Sequence, residues 1–372
     1  MKQHIPAGKC FTMGVILVLI GTCIIPSIRS ERTHDKIIIT VDDEPGDADF
    51  TSIKEAVNAS SSGDSIWVYS GTYFEQGIHI GNNNTTLLGI AHELGEGNDT
   101  GMPCIKGDGT AFIIHVEASH VVISNVTMEN SYASNYTAHS CIMIGLDTIP
   151  FYAEFKRHNI TISECVFRTT PRPGIWIGDV GENISIIQNE IHNCTIGILS
   201  ISVTHRFWPI LNISGNIITD CSMAGIYFDD TRQNISGNTI RRCGIGIVLY
   251  PAGTHNIIYG NDIDNCLVAV RSMYGTNTIT KNNFKNYSLL GSWFELDIYL
   301  YFPGVGVLFY LTQKDTWVGN YWDSWKGSGS KNIFGKLTIG RYIFYFPIFI
   351  TIPWVEHDWH PAKEPYNIPG MT

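Results

Sequence analysis

The chain has 372 residues, 44% of them hydrophobic and only 16% charged, with a formal net charge of −10. A chain of this length and composition buries a large core, which excludes disorder. The acidic balance and the lack of any Lys/Arg run exclude phosphate-backbone binding as the main activity, so nucleic acid is not an expected partner.

Taken in chain order, Lys2 and Lys9 precede the apolar run "CFTMGVILVLIGTCIIPSI" at 10–28, and polar "RSERTHDK" follows. This is the pattern of an export signal, and the run is also just long enough to span a bilayer. Residues 1–30 are therefore expected to be a signal peptide or a retained N-terminal membrane anchor. The rest of the chain is then extracellular or on the cell surface, touching membrane only through the 10–28 segment. Twelve N-x-S/T sequons fit that location, with glycans expected at Asn83, Asn98 and Asn135. The stretch "VDDEPGDAD" at 41–49 packs five carboxylates into nine positions. It makes calcium a candidate cofactor near Asp42, Asp43 and Asp47, although EF-hand spacing is missing. Phe50, Ile53, Ala56 and Val57 then share the apolar face of a short helix. The long stretch 131–158 is expected to protrude as a loop.

From residue 189 the chain repeats itself. "NEIHNC" from Asn189, "NIITDC" from Asn216, "NTIRRC" from Asn238 and "NDIDNC" from Asn261 start 27, 22 and 23 residues apart. Each is followed by a second apolar phrase, such as "GILSI" from Gly197 and "GIVLY" from Gly246. Weaker copies begin at Cys165 and Asn282. A period near 22 with alternating apolar residues and no helical spacing predicts a parallel β-solenoid, one coil per repeat, with successive coils about 4.8 Å apart. Ile191, Ile218, Ile240, Ile263 and Phe284 should form one inward ladder, and Ile175, Ile198, Ile226, Ile247 and Val270 another. Asn189, Asn216, Asn238, Asn261 and Asn282 should form an amide ladder, each side chain bonding the next. Cys194, Cys221, Cys243 and Cys266 fall in a single column, read as packing, with a metal column or disulfides as alternatives.

The residue two after each repeat glycine should point outward: Trp176, Leu199, Tyr227, Val248 and Arg271. Trp176 and Tyr227, with Trp208 nearby, are candidate carbohydrate-binding residues, because exposed aromatics on a rigid sheet suit stacking on sugar rings. Asp179, His205, Arg206, Asp229 and Asp230 are the candidate catalytic residues at the rim of that face. Asp179 and Asp230 each follow their repeat glycine by five places, two coils apart, or about 10 Å at the strand spacing. That is the upper end of the separation in an inverting pair, where one acid protonates the leaving oxygen and the other activates water. Local backbone bonding in turns is the competing explanation of these aspartates. The aromatic stretch 289–312 lacks the Asn-led phrase. "GRYIFYFPIFITIPW" at 340–354 reads as cap strands, since Pro347 and Pro353 interrupt a run too short for a bilayer. Glu356, His357, Asp358 and His360 have the residue types of a metal site, but a structural role in tying the cap together is the favoured reading.

Two phrases carry a family resemblance. "DADFTSIKEAVNASSSGDSIWVYSGTYFE" at 47–75 resembles the N-terminal capping segment of right-handed parallel β-helix proteins. "GNYWDSW" at 319–325 and "DWHPAKEPYNI" at 358–368 resemble the C-terminal parts of secreted NosD-like proteins, a group common in archaea. The resemblance covers about residues 37–370. It implies an all-β, right-handed parallel β-helix over 31–335 with an N-terminal capping helix, closed by an aromatic C-terminal cap at 336–372. It also implies copper delivery, a role of particular members for which no ligand motif matches here, so no metal residues are assigned. The leading expectation is an exported, non-catalytic surface β-helix that binds carbohydrate or another cell-envelope polymer. A polysaccharide-cleaving enzyme and NosD-like metal handling are the alternatives, and β-helix folds host all three.

Overall fold

A computed structural model describes residues 36–95, 97–130, 140–145, 157–170, 172–178, 181–201, 210–229, 232–250, 255–272, 276–287, 292–299, 315–343 and 346–368. The apolar run at 10–28 lies outside them, as does the sequon at Asn135. Among the described residues no helix is long and apolar enough to cross a membrane.

The chain from Lys36 onward forms one compact unit, a parallel β-solenoid whose coils contribute in turn to three sheets. Among the described residues, sheet 1 has eleven strands, from Ile38–Val41 to Thr316–Val318, and sheet 2 has ten, from Thr72–Tyr73 to Tyr321–Trp322. Sheet 3 starts at Ile78–Ile80 and runs through Val268–Ser272 to Ser292–Tyr299. It ends in an antiparallel hairpin of Lys331–Ile343 and Phe346–Asp358, so the proline-interrupted stretch is cap strand, as expected.

Both expected aliphatic ladders are present in register. Ile191, Ile218, Ile240, Ile263 and Phe284 stack in sheet 2, where Trp322 extends the column. Ile175, Ile198, Ile226, Ile247 and Val270 stack in sheet 3. A third ladder, Ile186, Ile213, Ile235, Ile258, Ile279 and Trp317, comes from sheet 1. A triangular coil needs all three to close its core, and their members are buried. One expectation is corrected: the stretch 131–158 is not a single protruding loop, because Ile142–Ile144 is a sheet 3 strand between Ile114–Val116 and Ile175–Ile177. Ile142 and Ile144 supply the inward ladder residues of that coil, although no Asn-led phrase announces it.

The helix Ile53–Ala59 covers the N-terminal end, with Ile53, Ala56 and Val57 buried and the Ser52 hydroxyl accepting from the Glu55 N–H. The Glu75 carboxylate accepts from the N–H groups of Ile53 and Lys54, occupying two further donors of the first turn. At the other end Phe284, Trp317 and Trp322 pack together, with ring centroids 4.4 Å apart for Phe284 and Trp322. Glu356 accepts from the Trp317 indole at 2.9 Å.

The repeat asparagines lie inside the corner between sheets 1 and 2, fully buried. Each Nδ2 donates to the Oδ1 of the next coil's asparagine, from Asn189 through Asn216, Asn238, Asn261 and Asn282 to Asn320, at 2.9–3.0 Å. The same Nδ2 atoms also donate to main-chain carbonyls, as Asn238 does to Ile213. The column ends on Asp358, which accepts from Asn320 Nδ2 at 3.1 Å. The cap role expected of the 356–360 segment is thus performed by two carboxylates, Glu356 on Trp317 and Asp358 at the end of this column. A second column, in the corner between sheets 3 and 1, passes from Asn256 to Asn277 and ends on Asp315, whose carboxyl burial pushes up to about 6.

The seven described cysteines are free thiols. Cys194, Cys221, Cys243 and Cys266 are buried, and each Sγ lies against the carbonyl two residues earlier, at 3.4–3.7 Å. That shared local contact explains the recurring residue: the corner takes a small apolar side chain with one weak donor. Contact with the neighbouring thiol, then burial, raises the pKa of Cys266, which disfavours its reactive thiolate form.

Candidate functional site

The outward positions of sheet 3 stack as expected. Successive strands align Trp176, Leu199, Tyr227, Val248 and Arg271, so Trp176 and Tyr227 are two coils apart on one sheet. Upstream, the same outward column continues through Met143, His115 and His79. The expected exposure, however, is corrected. Ile196, Leu199, Ala224 and Val248 form a small buried cluster on this outer face, against which Trp176 and Tyr227 are half-buried. Aromatic and aliphatic residues repeated at adjacent rungs shield one another, and the Tyr227 ring also stacks on Tyr250 at 5.6 Å. Burial, followed by nearby Tyr250, pushes the Tyr227 hydroxyl up to about 12. The Trp176 indole Nε1 is buried with no hydrogen-bond partner.

Of the candidate catalytic residues, only Asp229 is described, and it is 8% exposed. It directly follows the sheet 3 strand Ala224–Phe228. Asp179, His205, Arg206 and Asp230, together with Trp208, lie outside the described residues.

Sequence reasoning missed a groove over the corner between sheets 1 and 2. Ser214, Ser236 and Tyr259 occupy one outward column on successive coils. Gly215, Gly237 and Gly260 form the adjoining floor, all in the left-handed region at φ 61–66°. Tyr366 of the C-terminal tail closes one side, held by Asn283 and by its hydroxyl on the Gly319 carbonyl at 2.6 Å. The resulting cavity is about 450 Å³. Tyr259 is 44% exposed, and the Lys281 ammonium lies 5.5 Å from its ring centroid. The column of Ser and Tyr is legible in "NISG", "NISG" and "IIYG", but as sequence those phrases read as punctuation between strands.

Two groups of potential metal ligands also form. His79 and His115 face each other across paired strands, with Glu117 beside them; one donor atom from each lies within 4.8 Å of the others. The His115 Nε2–H donates to the Gly145 carbonyl at 2.6 Å, fixing the ring. At the N-terminal end, the expected acidic pair Asp42 and Asp43 meets Glu44, Glu93 and Asp99, whereas Asp47 is not in either of the two trios they form. Burial, reinforced by Glu93 and Asp43, raises Asp42 to about 6; desolvation and contact with Asp43 raise Glu44 to about 7.

Residues 57–327 match the family described as periplasmic copper-binding protein (NosD). The chain belongs to the NosD family. No curated protein sequence matches it. Solved structures similar to this NosD-family chain include a mannuronic acid specific polysaccharide family 6 lyase from human gut microbiota, at 11% identity, covering 78% of each chain with a TM-score of 0.47. Another is a GH136 lacto-N-biosidase from Eubacterium ramulus, at 12% identity over 76% of this chain and 62% of that one, TM-score 0.42. A third is the A-module of a mannuronan C-5 epimerase from Azotobacter vinelandii, at 14% identity over 66% and 86%, TM-score 0.40. None of these likenesses bears on activity. The copper in the NosD description can be tested on the donor set: two imidazoles and a carboxylate are ligand types that suit Cu(II). His79, His115 and Glu117 therefore fit such an ion.

Proposed function

We propose that this NosD-family chain is an exported, non-catalytic β-helix of the cell envelope that binds carbohydrate. The observation that carries the reading is the groove over Ser214, Ser236 and Tyr259. Its glycine floor lets a flat ring approach the backbone, Tyr259 offers an aromatic face, and the serine hydroxyls can pair with sugar hydroxyls. Lys281 adds a preference for acidic sugars. The half-buried strip of Trp176 and Tyr227 is the second surface on which a glycan chain could rest.

A glycan-binding screen of the purified protein, with product analysis of each hit, tests this. Tyr259→Ala should weaken binding by about 1 kcal/mol, one lost stacking contact, and Trp176→Ala by as much if the chain extends onto sheet 3. Asp230→Asn should leave affinity intact. Release of reducing ends by the wild type but not by Asp230→Asn would make the protein a polysaccharide-cleaving enzyme instead. Unchanged affinity in both aromatic variants would remove the groove and the sheet 3 face together.

Metal handling is a second reading, favoured by the His79, His115 and Glu117 geometry. Copper should then remain with the wild-type protein after dialysis and be lost from His79→Ala, while Tyr259→Ala keeps it. Equal copper loss from wild type and His79→Ala would end that reading.

A further inference from the structure

The corner that follows the sheet 1 strands of the first three coils gathers more negative charge than its surroundings neutralise. Asp42, Asp43 and Glu44 follow the strand Ile38–Val41, while Glu93 and Asp99 follow the strand Thr86–Gly89, two coils on. Ligand oxygens of Asp42, Glu44 and Glu93 lie within 4.8 Å of one another, and so do those of Asp43, Glu44 and Asp99, so Glu44 belongs to both trios.

The second observation is Asp42 itself. Its side chain is fully buried, and neither carboxylate oxygen has a hydrogen-bond partner. It faces another acceptor, Glu93, where a buried carboxylate ordinarily finds a donor or a counterion. Asp43 Oδ1 and Glu44 Oε2 are likewise buried and unpaired, although Asp43 Oδ2 accepts from the Thr72 N–H at 3.0 Å. Among the described residues no lysine or arginine forms an ion pair with any of the five. The backbone leaves room for the carboxylates: a Cβ on Gly71 would stand 2.0 Å from Asp43 Oδ1, and one on Gly97 would stand 2.4 Å from the Glu93 carboxyl carbon. Glu93 is aimed by the N–H groups of Leu94 and Asp99, at 3.1 and 2.7 Å.

We propose that Asp42, Asp43, Glu44, Glu93 and Asp99 form a calcium site that ties the capping segment to the third coil. An all-oxygen set of carboxylates drawn from separate loops suits a large, geometrically tolerant hard cation, whereas Mg²⁺ demands near-octahedral order and Zn²⁺ prefers sites that include nitrogen or sulfur. The ion bridges the first and third coils across the second, where the Asp43 bond to Thr72 already lies. It compensates the Asp42 charge that no side chain neutralises. The site is independent of the carbohydrate groove and of the His79 and His115 group.

The test uses the purified full-length protein stripped with EDTA, with CaCl₂ as the probe and MgCl₂ for comparison. Equilibrium dialysis should show stoichiometric calcium. At about a hundredfold excess over the dissociation constant, calcium should raise the melting midpoint by about 5 °C, and magnesium by less. Asp42→Asn should abolish that rise yet melt no lower than the stripped wild type, because it removes an uncompensated buried charge. Asp99→Asn, at an exposed position, should weaken calcium binding without changing the melt of the stripped protein. Lack of calcium retention by the wild type overturns the proposal, as does an unaltered calcium response in both variants.

Discussion

Asp358→Asn is expected to lower the unfolding free energy by about 4 kcal/mol, the sum of two or more buried donors left without acceptors. Asp358 is fully buried, and its two oxygens take five donors. Oδ1 accepts from the N–H groups of Gly319 and His360, and Oδ2 from the Asn320 N–H, Asn320 Nδ2 and Trp322 Nε1. An asparagine keeps one oxygen and turns an NH₂ group toward the remaining donors. Whichever way the amide is placed, at least two N–H groups face another N–H. Chemical denaturation followed by circular dichroism measures the loss, with the β-sheet signal of the native variant confirming that it still folds. A loss under about 1 kcal/mol, the scale of a single ordinary hydrogen bond, would mean that the ladder's end is not carrying the stability assigned to it.

Asn238→Asp, the reverse exchange within the column, should cost about as much at neutral pH. Asn238 Nδ2 donates to the Ile213 carbonyl and to Asn261 Oδ1, both at 2.9 Å. A carboxylate there sets acceptor against acceptor twice and buries a charge with no cation. Its folded-state pKa must therefore lie above the ordinary carboxylate value of about 4. The folded variant then holds a proton that the unfolded chain gives up, so its deficit is full at neutral pH and shrinks as the pH falls through the raised pKa. Denaturation at neutral and mildly acidic pH checks both the size and the sign. A deficit that grows on acidification would show the reasoning to be wrong, since the ionised carboxylate would then be stabilising the column.

Much of this was legible between residues 189 and 282, where equivalent residues recur every 21–27 positions. The amide ladder, two aliphatic columns, the cysteine column and the outward column of Trp176 and Tyr227 all follow from that regularity. Before Cys165 the strands persist but the loops differ in length: His79 and His115 are 36 residues apart yet paired across one rung. A search keyed to a constant period passes over such neighbours, which hid the His79, His115 and Glu117 group, the strand Ile142–Ile144, and the meeting of Glu93 and Asp99 with the carboxylates at 42–44. The aromatic face taught a different lesson. Alternation gives the direction of Trp176 and Tyr227 correctly but says nothing of what packs over them, so their burial is invisible in the sequence.

The amide column also bears on how such a chain can change its length. Inner asparagines are interchangeable, each receiving from the previous rung and giving to the next, so a whole coil such as that from Asn216 to Asn238 could be duplicated or deleted and the column would rejoin itself. Insertions that are not whole coils would break it. Asp358 differs in kind, since a side chain that can only receive has nothing to hand to a further rung. Lengthening is thereby confined to the interior, and the last carboxylate acts as a full stop written in hydrogen bonds.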